Sequence, residues 1–367
     1  MIHIDGDYKE GGGQIVRTAL ALSTITQIPF TVDHIRQGRK DAGLKPQHLF
    51  CIKGLEQLCE AKAEGAEFGS SKLKYNPGKI KGKTIKIDIG TAGSISLLMQ
   101  SLLLPCFFAD KQVKLKLTGG TNTKWSMPIE YFQEIFVPYI RKFCQNITVK
   151  LIKRGYFPKG GGEVEIKIKP KFKLSDYPDF KAFLEEIRKQ NLGIDSTEQH
   201  NLIQIKGVSH ASKHLEKAEV ADRQAKAAKF ILSKYEVPVN IRTEYCDALS
   251  PGSGITLWAI FSKQKEDLDL INPIILGADT LGERGKPSEK VGEEAAKDLI
   301  KQIESKAPID AHMADNLIPW MALFCPSKIK VSEITDHTRT NIYVVDQFLG
   351  KIFEIAEENK IISAKLS

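Results

Sequence analysis

The 367-residue sequence lacks the features of several protein classes. Its apolar runs stop short of the roughly 18 residues that a membrane-spanning helix needs, and the stretch 95–109 predicts a buried helix instead. Its six cysteines form no CxxC pair, which argues against a cysteine-rich zinc site and favours reduced thiols. There is no HExxH motif and no signal-peptide pattern. We therefore expect a cytoplasmic protein without a membrane partner.

Arginine is scarce, but its distribution is uneven. Only 10 of the 53 basic residues are arginines, yet Arg17, Arg36 and Arg39 all lie within the first forty positions, close to a glycine run. The guanidinium group suits bidentate contacts with phosphate. The net charge of +8 fits a polyanionic partner such as nucleic acid, although a soluble surface rich in lysine and glutamate explains it equally well.

A strand, a glycine-rich turn and an apolar-periodic helix occur in that order twice, at 4–25 and about 83 residues later at 87–108. Each copy continues with a short strand, a loop that contains glycine, a second helix and two strands. Residues 309–365 contain most of a third copy. The pattern predicts an α/β (α+β) protein built from βαβαββ units.

The middle of the chain interrupts this repeat. Its predicted order of elements, βαβββα, is thioredoxin-like in topology. We predict a large domain of three units, formed by 1–172 and 307–367, and a smaller inserted domain at 173–306. The apolar spacing around Phe183 predicts an additional amphipathic helix at the start of the insertion.

The first glycine run, Glu10-Gly11-Gly12-Gly13, lies between a predicted strand and a predicted helix. Glycines let backbone N–H groups approach a ligand, and a helix N-terminus favours an anion. Arg17, one turn into the helix, is placed to reach a phosphate, and Glu10 is a candidate ligand for a divalent metal. The spacing matches neither a P-loop nor a dinucleotide-binding fingerprint. A turn that serves only packing is equally compatible with these residues.

A second glycine run spans 154–163 and is typical of a hairpin turn. The alternative is a loop along which a nucleic-acid backbone passes. In that case Arg154 and Lys159 supply charge, and Tyr156 or Phe157 supplies a stacking face.

His337 lies at a predicted junction between a loop and a helix. A neutral imidazole is a good nucleophile toward phosphorus, and the unperturbed pKa of histidine, about 6.5, leaves most of it neutral at physiological pH. Asp315 lies four residues before Pro319 in a predicted helix of the same unit. For both residues, an ordinary surface or capping role is the alternative.

Taken together, these segments resemble the RNA 3′-terminal phosphate cyclases, and the match covers nearly the whole chain. The matching motifs, in chain order, are EGGGQIVR (10–17), IRQGR (35–39), GLKPQHL (43–49), GTAGS (90–94), GGT (119–121), RGYFPKGGGEV (154–164), SPGSGITL (250–257), GADTLGERG (277–285), ADNLIP (314–319) and HTRTN (337–341). Their common order and spacing make the resemblance more specific than any single motif.

The resemblance implies three units similar to those of enolpyruvyl transferases and a smaller inserted domain. It also implies a reaction with ATP, in which His337 attacks the α-phosphorus and pyrophosphate leaves. The covalent AMP then passes to an RNA 3′-phosphate, and the neighbouring 2′-hydroxyl closes a 2′,3′-cyclic phosphate as AMP departs. RNA with a 3′-terminal phosphate is the expected partner. ATP and a divalent metal, Mg or Mn, are the expected cofactors.

The resemblance also assigns residues. It makes His337 the catalytic residue, Glu10 the metal ligand and Asp315 the group that orients His337. The residues expected to bind the nucleotide or its phosphates are Gln14, Arg17, Arg36, Arg39, Gln47, His312, Asp315 and Asn316. Asn122 departs from the pattern, because many relatives carry aspartate after the GGT motif, and it is assigned no role.

Two other functions stay open at this point. One branch of the family lacks the histidine and acts in ribosome assembly, so a non-catalytic RNA-binding factor on the same scaffold is the first alternative. The presence of His337 favours the enzyme. A small-molecule transferase of the enolpyruvyl type is the second alternative, and it would turn over without ATP. The sequence indicates no oligomeric state.

Overall fold

The computed structural model describes residues 1–9, 11–264 and 268–365. The elements of the first unit, in chain order, are β1 (Ile2–Asp5), α1 (Gln14–Thr26), β2 (Phe30–Asp33), α2 (Pro46–Cys59), β3 (Lys62–Glu64) and β4 (Leu73–Asn76). Its sheet has the strand order β1-β2-β4-β3, in which β1 and β2 are parallel and the other pairs are antiparallel. The predicted order βαβαββ is confirmed in this unit.

The second unit repeats the arrangement. Its elements are β5 (Thr84–Asp88), α3 (Ile95–Phe107), β6 (Val113–Gly119), α4 (Ile129–Tyr131), α5 (Val137–Ile140), β7 (Cys144–Lys153) and β8 (Gly162–Pro170). The strand order, β5-β6-β8-β7, is equivalent to that of the first sheet. The second helix, predicted to be continuous, is instead divided by a π turn at Phe132–Phe136. Pro138 explains the division, because it lacks an amide proton and its ring crowds the preceding turn.

A helix and a short strand follow the second unit, α6 (Phe180–Lys189) and β9 (Asp195–Ser196). Phe183 on α6 packs edge-on against Phe108 of the second unit, with ring centroids 5.0 Å apart. This contact packs α6 against the second unit. The division into two domains, and its boundaries near 173 and 306, stay predictions.

The inserted segment contains β10 (Asn201–Ser212), α7 (Val220–Leu232), β11 (Val239–Cys246), β12 (Ser253–Ser262), β13 (Ile274–Leu281) and α8 (Ser288–Glu304). This is the predicted βαβββα order. The sheet runs β11-β10-β12-β13, and β10 and β11 are parallel. Both helices pack against the sheet, where their apolar faces form a second hydrophobic core.

The chain then completes the third unit with α9 (Ala311–Leu323), β14 (Ser327–Lys330), α10 (Asp336–Leu349), β15 (Phe353–Ala356) and β16 (Ile361–Ala364). Its sheet has the order β15-β16-β14-β9, and the parallel pair is β9 with β14. The third copy therefore has the topology of the first two, although the insertion separates its first strand from the rest. No helix in the described ranges is long and apolar enough to cross a membrane.

The core of the large domain surrounds helix α1. All 13 residues of this helix are buried, including Gln14 and Arg17. A buried glutamine or arginine requires polar partners, because an unpaired polar group in a core costs free energy. These two side chains therefore mark the point where the apolar interior gives way to a polar site.

A buried polar cluster joins the second unit to the inserted segment. Arg154 is 2 % exposed and forms ion pairs with Glu130 and with Glu244 of β11. Its Nη1 also donates to Asn122 Oδ1 at 3.3 Å, and Asn122 Nδ2 donates to Glu130 Oε2 at 2.8 Å. Asn122, which had no predicted role, thus completes a hydrogen-bonded charge cluster.

The second glycine run is the hairpin turn between β7 and β8. Arg154 is committed to the ion pairs, and Tyr156 is buried, with its hydroxyl bonded to His210 Nδ1 at 2.8 Å. Arg154 and Tyr156 are therefore not accessible for the contacts with nucleic acid that the alternative interpretation predicted. Phe157 is exposed at the tip of the turn.

We expect Arg154→Met to lower the free energy of unfolding by about 3–5 kcal/mol, because it leaves the Glu130 carboxylate buried without its cation. Urea unfolding monitored by circular dichroism measures this change. Lys74→Met is the matched control, since it removes a cation from an exposed pair with Glu64 and should cost less than about 1 kcal/mol. Equal effects from the two variants would contradict the assigned role of Arg154.

Candidate active site

Side chains from the first helix of each unit meet at one place. Arg17 Nε on α1 donates to Gln100 Oε1 on α3 at 2.6 Å, and Gln100 Nε2 donates to Asn316 Oδ1 on α9 at 3.1 Å. Gln14 Nε2 donates to Asp315 Oδ2 at 3.1 Å. The buried side chains of Gln14 and Arg17 therefore find partners on the equivalent helices of the other two units.

Gln100 belongs to this set although no motif indicated it. The signal was present in the repeat, because Gln100 follows Arg17 by 83 residues, the spacing between the first two units. Residues at the same offset in repeated units occupy equivalent positions, so the partner of a site residue can be sought one repeat away.

His337 lies in the first turn of α10, where the Thr335 hydroxyl caps the helix by accepting from Thr338 N at 3.2 Å. The histidine is exposed. The glycine turn lies directly beside it: a Cβ added to Gly12 would be 4.0 Å from His337 Cε1 and 3.9 Å from Arg39 Nη2. The N-termini of α1 and α10 thus meet at one imidazole and one guanidinium, and both helix ends favour anions.

Contacts around the glycine turn hold this arrangement. Tyr8 stacks on Tyr343 of α10, with centroids 4.0 Å apart, and Lys9 Nζ is 3.3 Å from Asp336 Oδ1. Asp7 Oδ1 accepts from Gly38 N at 2.7 Å, which ties the turn to the loop that carries the two arginines after β2. Contacts within the protein therefore fix these sequence-distant segments to one another.

The arginines repel one another. Burial and, to a smaller extent, the charge of Arg36 lower the pKa of Arg17 to about 10. The pKa of Arg36 is lowered by burial and by the charge of Arg39. Clustered cations with depressed pKa values are relieved by a bound anion, so the electrostatics favour a ligand that carries phosphate groups.

His48 is a second residue that the motif analysis left without a role. It is fully buried, and its pKa is lowered well below the usual value by burial and by the charges of Arg17 and Arg36. Lys45 N donates to its Nδ1 at 2.9 Å, so the proton of the neutral ring resides on Nε2. Nε2 has no hydrogen-bond partner among the described residues and faces Gly13 at the start of α1.

Asp315 is half-buried, and burial raises its pKa to about 6, while the charges of His337 and His312 oppose this rise. One link between Asp315 and His337 runs through Gln14, whose amide donates to the Asp315 carboxylate and, at 3.2 Å, to the backbone carbonyl of His337. That Asp315 orients the imidazole stays a prediction.

Two cavities meet at these residues. One, of about 480 Å³, is lined by Gln14, Arg17, Gln100, Trp125, Asn316 and their neighbours. The other, of about 320 Å³, extends toward α8 of the inserted segment. Both are lined by Asp279, His312, Asp315 and His337. An imidazole between two cavities can accept a group from a ligand in one and pass it to a ligand in the other.

Comparison with known proteins identifies the family of the chain. A family model described as RNA 3′-terminal phosphate cyclase matches residues 8–355. The chain belongs to this family. Among curated cyclases, that of Pyrococcus furiosus is 44% identical over 97% of this chain and 95% of its own length. Those of Methanosarcina acetivorans and Archaeoglobus fulgidus are 42% and 38% identical, over 98% and 99% of both chains.

Most of the residues predicted for the active site lie close together in the structure. Gln14, Arg17, His312, Asp315, Asn316 and His337 line the larger cavity, and Arg39 and His337 flank the glycine turn. Arg36 lies on the same loop, where its guanidinium donates to Asp41 O at 3.3 Å. Gln47 is half-buried in the first turn of α2 and makes no hydrogen bond to the others within the described part of the chain.

The predicted metal ligand, Glu10, lies outside the described residues. Within those that are described, no group of three His, Cys, Asp or Glu residues is placed to hold a metal ion. The metal assignment of the cyclase site therefore stays a prediction.

Proposed function

We propose that this chain converts an RNA 3′-terminal phosphate to a 2′,3′-cyclic phosphodiester with ATP, through a covalent AMP on His337. The observation that supports this proposal most is the position of the exposed His337 ring beside the glycine turn and Arg39. A nucleophile must stand next to the group that binds the phosphate it attacks, because positioning supplies much of the rate of phosphoryl transfer.

In the first step, an imidazole nitrogen of His337 attacks the α-phosphorus of ATP. A P–N bond forms, the P–O bond to pyrophosphate breaks, and pyrophosphate carries away the electron pair. Arg17, Arg36 and Arg39 neutralise the charge that develops on the phosphates. Ionised Asp315 stabilises the positive charge that the imidazole gains.

In the second step, an oxygen of the RNA 3′-phosphate attacks the phosphorus of the AMP, and the P–N bond breaks as the histidine leaves. The terminal phosphate is now joined to AMP, which is a good leaving group. In the third step, the 2′-hydroxyl of the same ribose loses its proton and attacks the terminal phosphorus, and AMP departs. Nucleophile and phosphorus share one ribose, so the ring closes with little loss of entropy.

The residues present fit ATP. Three arginines, a glycine turn and two helix N-termini provide sites for a triphosphate. Mg²⁺ commonly binds through one or two carboxylates together with substrate phosphates and then neutralises phosphate charge. Glu10 is the residue that we propose for that contact.

The test of this function uses wild-type protein, ATP labelled at the α-phosphate, and an RNA oligonucleotide with a 3′-phosphate. We expect acid-labile label on the protein without RNA, its loss when RNA is added, and an RNA product whose end resists phosphatase. A non-catalytic RNA-binding factor would bind the RNA and take up no label. A transferase of the enolpyruvyl type would likewise take up no label.

Gly13→Ala tests the contact between the glycine turn and His48. The backbone of Gly13 has φ −62° and ψ −9°, which alanine adopts freely, so any effect is steric. A Cβ there would lie under 3.0 Å from His48 Nε2 and at 3.0 Å from Arg17 Nη1. We expect a loss of about 1–3 kcal/mol in the free energy of unfolding and a slower labelling step.

The double variant Gly13→Ala/His48→Ala provides the control. Because truncation of His48 removes the shortest contacts of the added Cβ, and the remaining one is with the flexible end of Arg17, the double variant should label little more slowly than His48→Ala alone. Additive losses in the double variant would show that Gly13 acts by some route other than His48.

A further inference from the structure

Trp125 differs from the other tryptophans of the chain. Its side chain is 95 % exposed, whereas Trp258 and Trp320 are 6 % and 3 % exposed. A single exposed apolar residue is common on protein surfaces and carries no meaning by itself. The position of this one, at the rim of the cavity that also contains Arg17 and His337, gives the exposure a chemical context.

The local structure presents the ring to solvent. Trp125 has φ 60°, in the left-handed region that costs a non-glycine residue about 1 kcal/mol or more. The turn is fixed on both sides, since Thr123 Oγ1 and Ser126 Oγ are hydrogen-bonded at 2.7 Å and Lys124 Nζ is 3.0 Å from Glu283. The ring is thus held outward on an anchored turn and not on a loose loop.

Polar groups suited to a nucleotide lie deeper in the cavity that Trp125 borders. Ser126 and Met127 continue its wall, and Arg17 and Gln100 lie within the same cavity. A flat aromatic face close to a phosphate-binding arginine matches one nucleotide, with its base on the ring and its phosphate on the guanidinium. Such stacking tolerates any base, because every base has a π face.

We propose that Trp125 is the stacking platform for a base within the last two nucleotides of the RNA. This inference rests on the proposed function. A ring that is almost fully exposed contacts a ligand that extends out of the cavity, and a polynucleotide extends in this way toward its 5′ side. A mononucleotide whose phosphates contact the buried Arg17 can lie entirely inside the cavity, so its base does not require a contact with Trp125 at the rim.

Tryptophan fluorescence gives a direct readout, because Trp125 is the exposed one of the three. RNA with a 3′-phosphate, added without ATP so that no reaction occurs, should quench this emission. Trp125→Ala should weaken RNA binding about 10- to 100-fold, whereas Trp125→Phe should stay within about 3-fold of wild type. Phe230→Ala is the matched control, since Phe230 is an 81 % exposed aromatic residue on α7 away from the site, and it should change nothing.

Abasic substitution locates the base. Wild-type protein should bind an RNA that lacks the terminal or the penultimate base more weakly than it binds intact RNA. Trp125→Ala should bind both RNAs with equal affinity. In Trp125→Ala, the KM for RNA should change far more than the rate at which ATP labels the protein. Unchanged RNA affinity in Trp125→Ala overturns the proposal. Quenching of the Trp125 fluorescence by ATP alone, together with a matching loss of labelling in Trp125→Ala, also overturns it, because the ring would then stack on adenine.

The two proposals fail in different ways. If wild-type protein takes up no label from ATP, the enzymatic function is wrong, while the fluorescence assay still measures whether RNA stacks on Trp125. If labelling and cyclisation proceed and Trp125→Ala has the wild-type KM for RNA, only the stacking role is wrong.

Discussion

His337→Ala is expected to abolish labelling of the protein by ATP, with a loss of more than about 10⁴-fold in rate. The reason is chemical, because alanine offers no nitrogen to form the P–N bond. The fold should be unaffected, since His337 is exposed in the first turn of α10 and contributes little packing. Measurement of protein-bound label and of the thermal midpoint separates the two effects.

Two controls make this result specific. His214→Ala removes an exposed histidine from the inserted segment and should label at the wild-type rate. RNA that already carries AMP on its 3′-phosphate bypasses the nucleophile, so His337→Ala should still close its ring. Wild-type labelling in His337→Ala would place the nucleophile elsewhere, and failure to close pre-adenylated RNA would assign His337 a different step.

Asp315→Asn is expected to slow labelling about 10³-fold while the protein stays folded. The amide keeps the shape of the carboxylate but cannot stabilise the positive charge that His337 gains. Burial raises the pKa of Asp315 to about 6, so the group is neutral below that pH and ionised above it. The wild-type labelling rate should therefore rise as pH increases through about 6, and the variant should lack the part of the rise that Asp315 causes.

The raised pKa also predicts the sign of the stability effect. A buried carboxyl whose pKa lies above its unfolded value destabilises the native state when it ionises, so Asp315→Asn should be at least as stable as wild type at pH 7. Asp346→Asn is the control, because Asp346 is half-buried on α10 with a raised pKa but lines neither cavity. Equal loss of labelling in both variants would contradict the role of Asp315.

Local signals predicted most of the fold. The apolar period of 3.6 residues marked α1 and α3, and Pro46 fixed the start of α2. Strand β9 escaped prediction, because two residues are too few to show a period and its partner β14 lies beyond the whole insertion. The break in the second helix of the second unit was also missed, although Pro138 was a signal for it.

The site was predictable where motifs carried it and not where three-dimensional proximity created it. The glycine turn and His337 follow from family motifs, and their proximity depends on packing between α1 and α10. Gln100 required comparison of the repeats. His48 became noticeable only when the fold left its Nε2 buried without a partner, and Trp125 only when the fold left its ring exposed.

The central claim concerns one covalent bond, between a nitrogen of His337 and the phosphorus of AMP. Its most direct test is peptide mapping by mass spectrometry of wild-type protein after incubation with ATP and Mg²⁺, without RNA and without acid. We predict the mass of one AMP on the peptide that contains residue 337, with fragmentation that assigns it to His337. AMP on a lysine or on another histidine, with that peptide unmodified, would contradict the account.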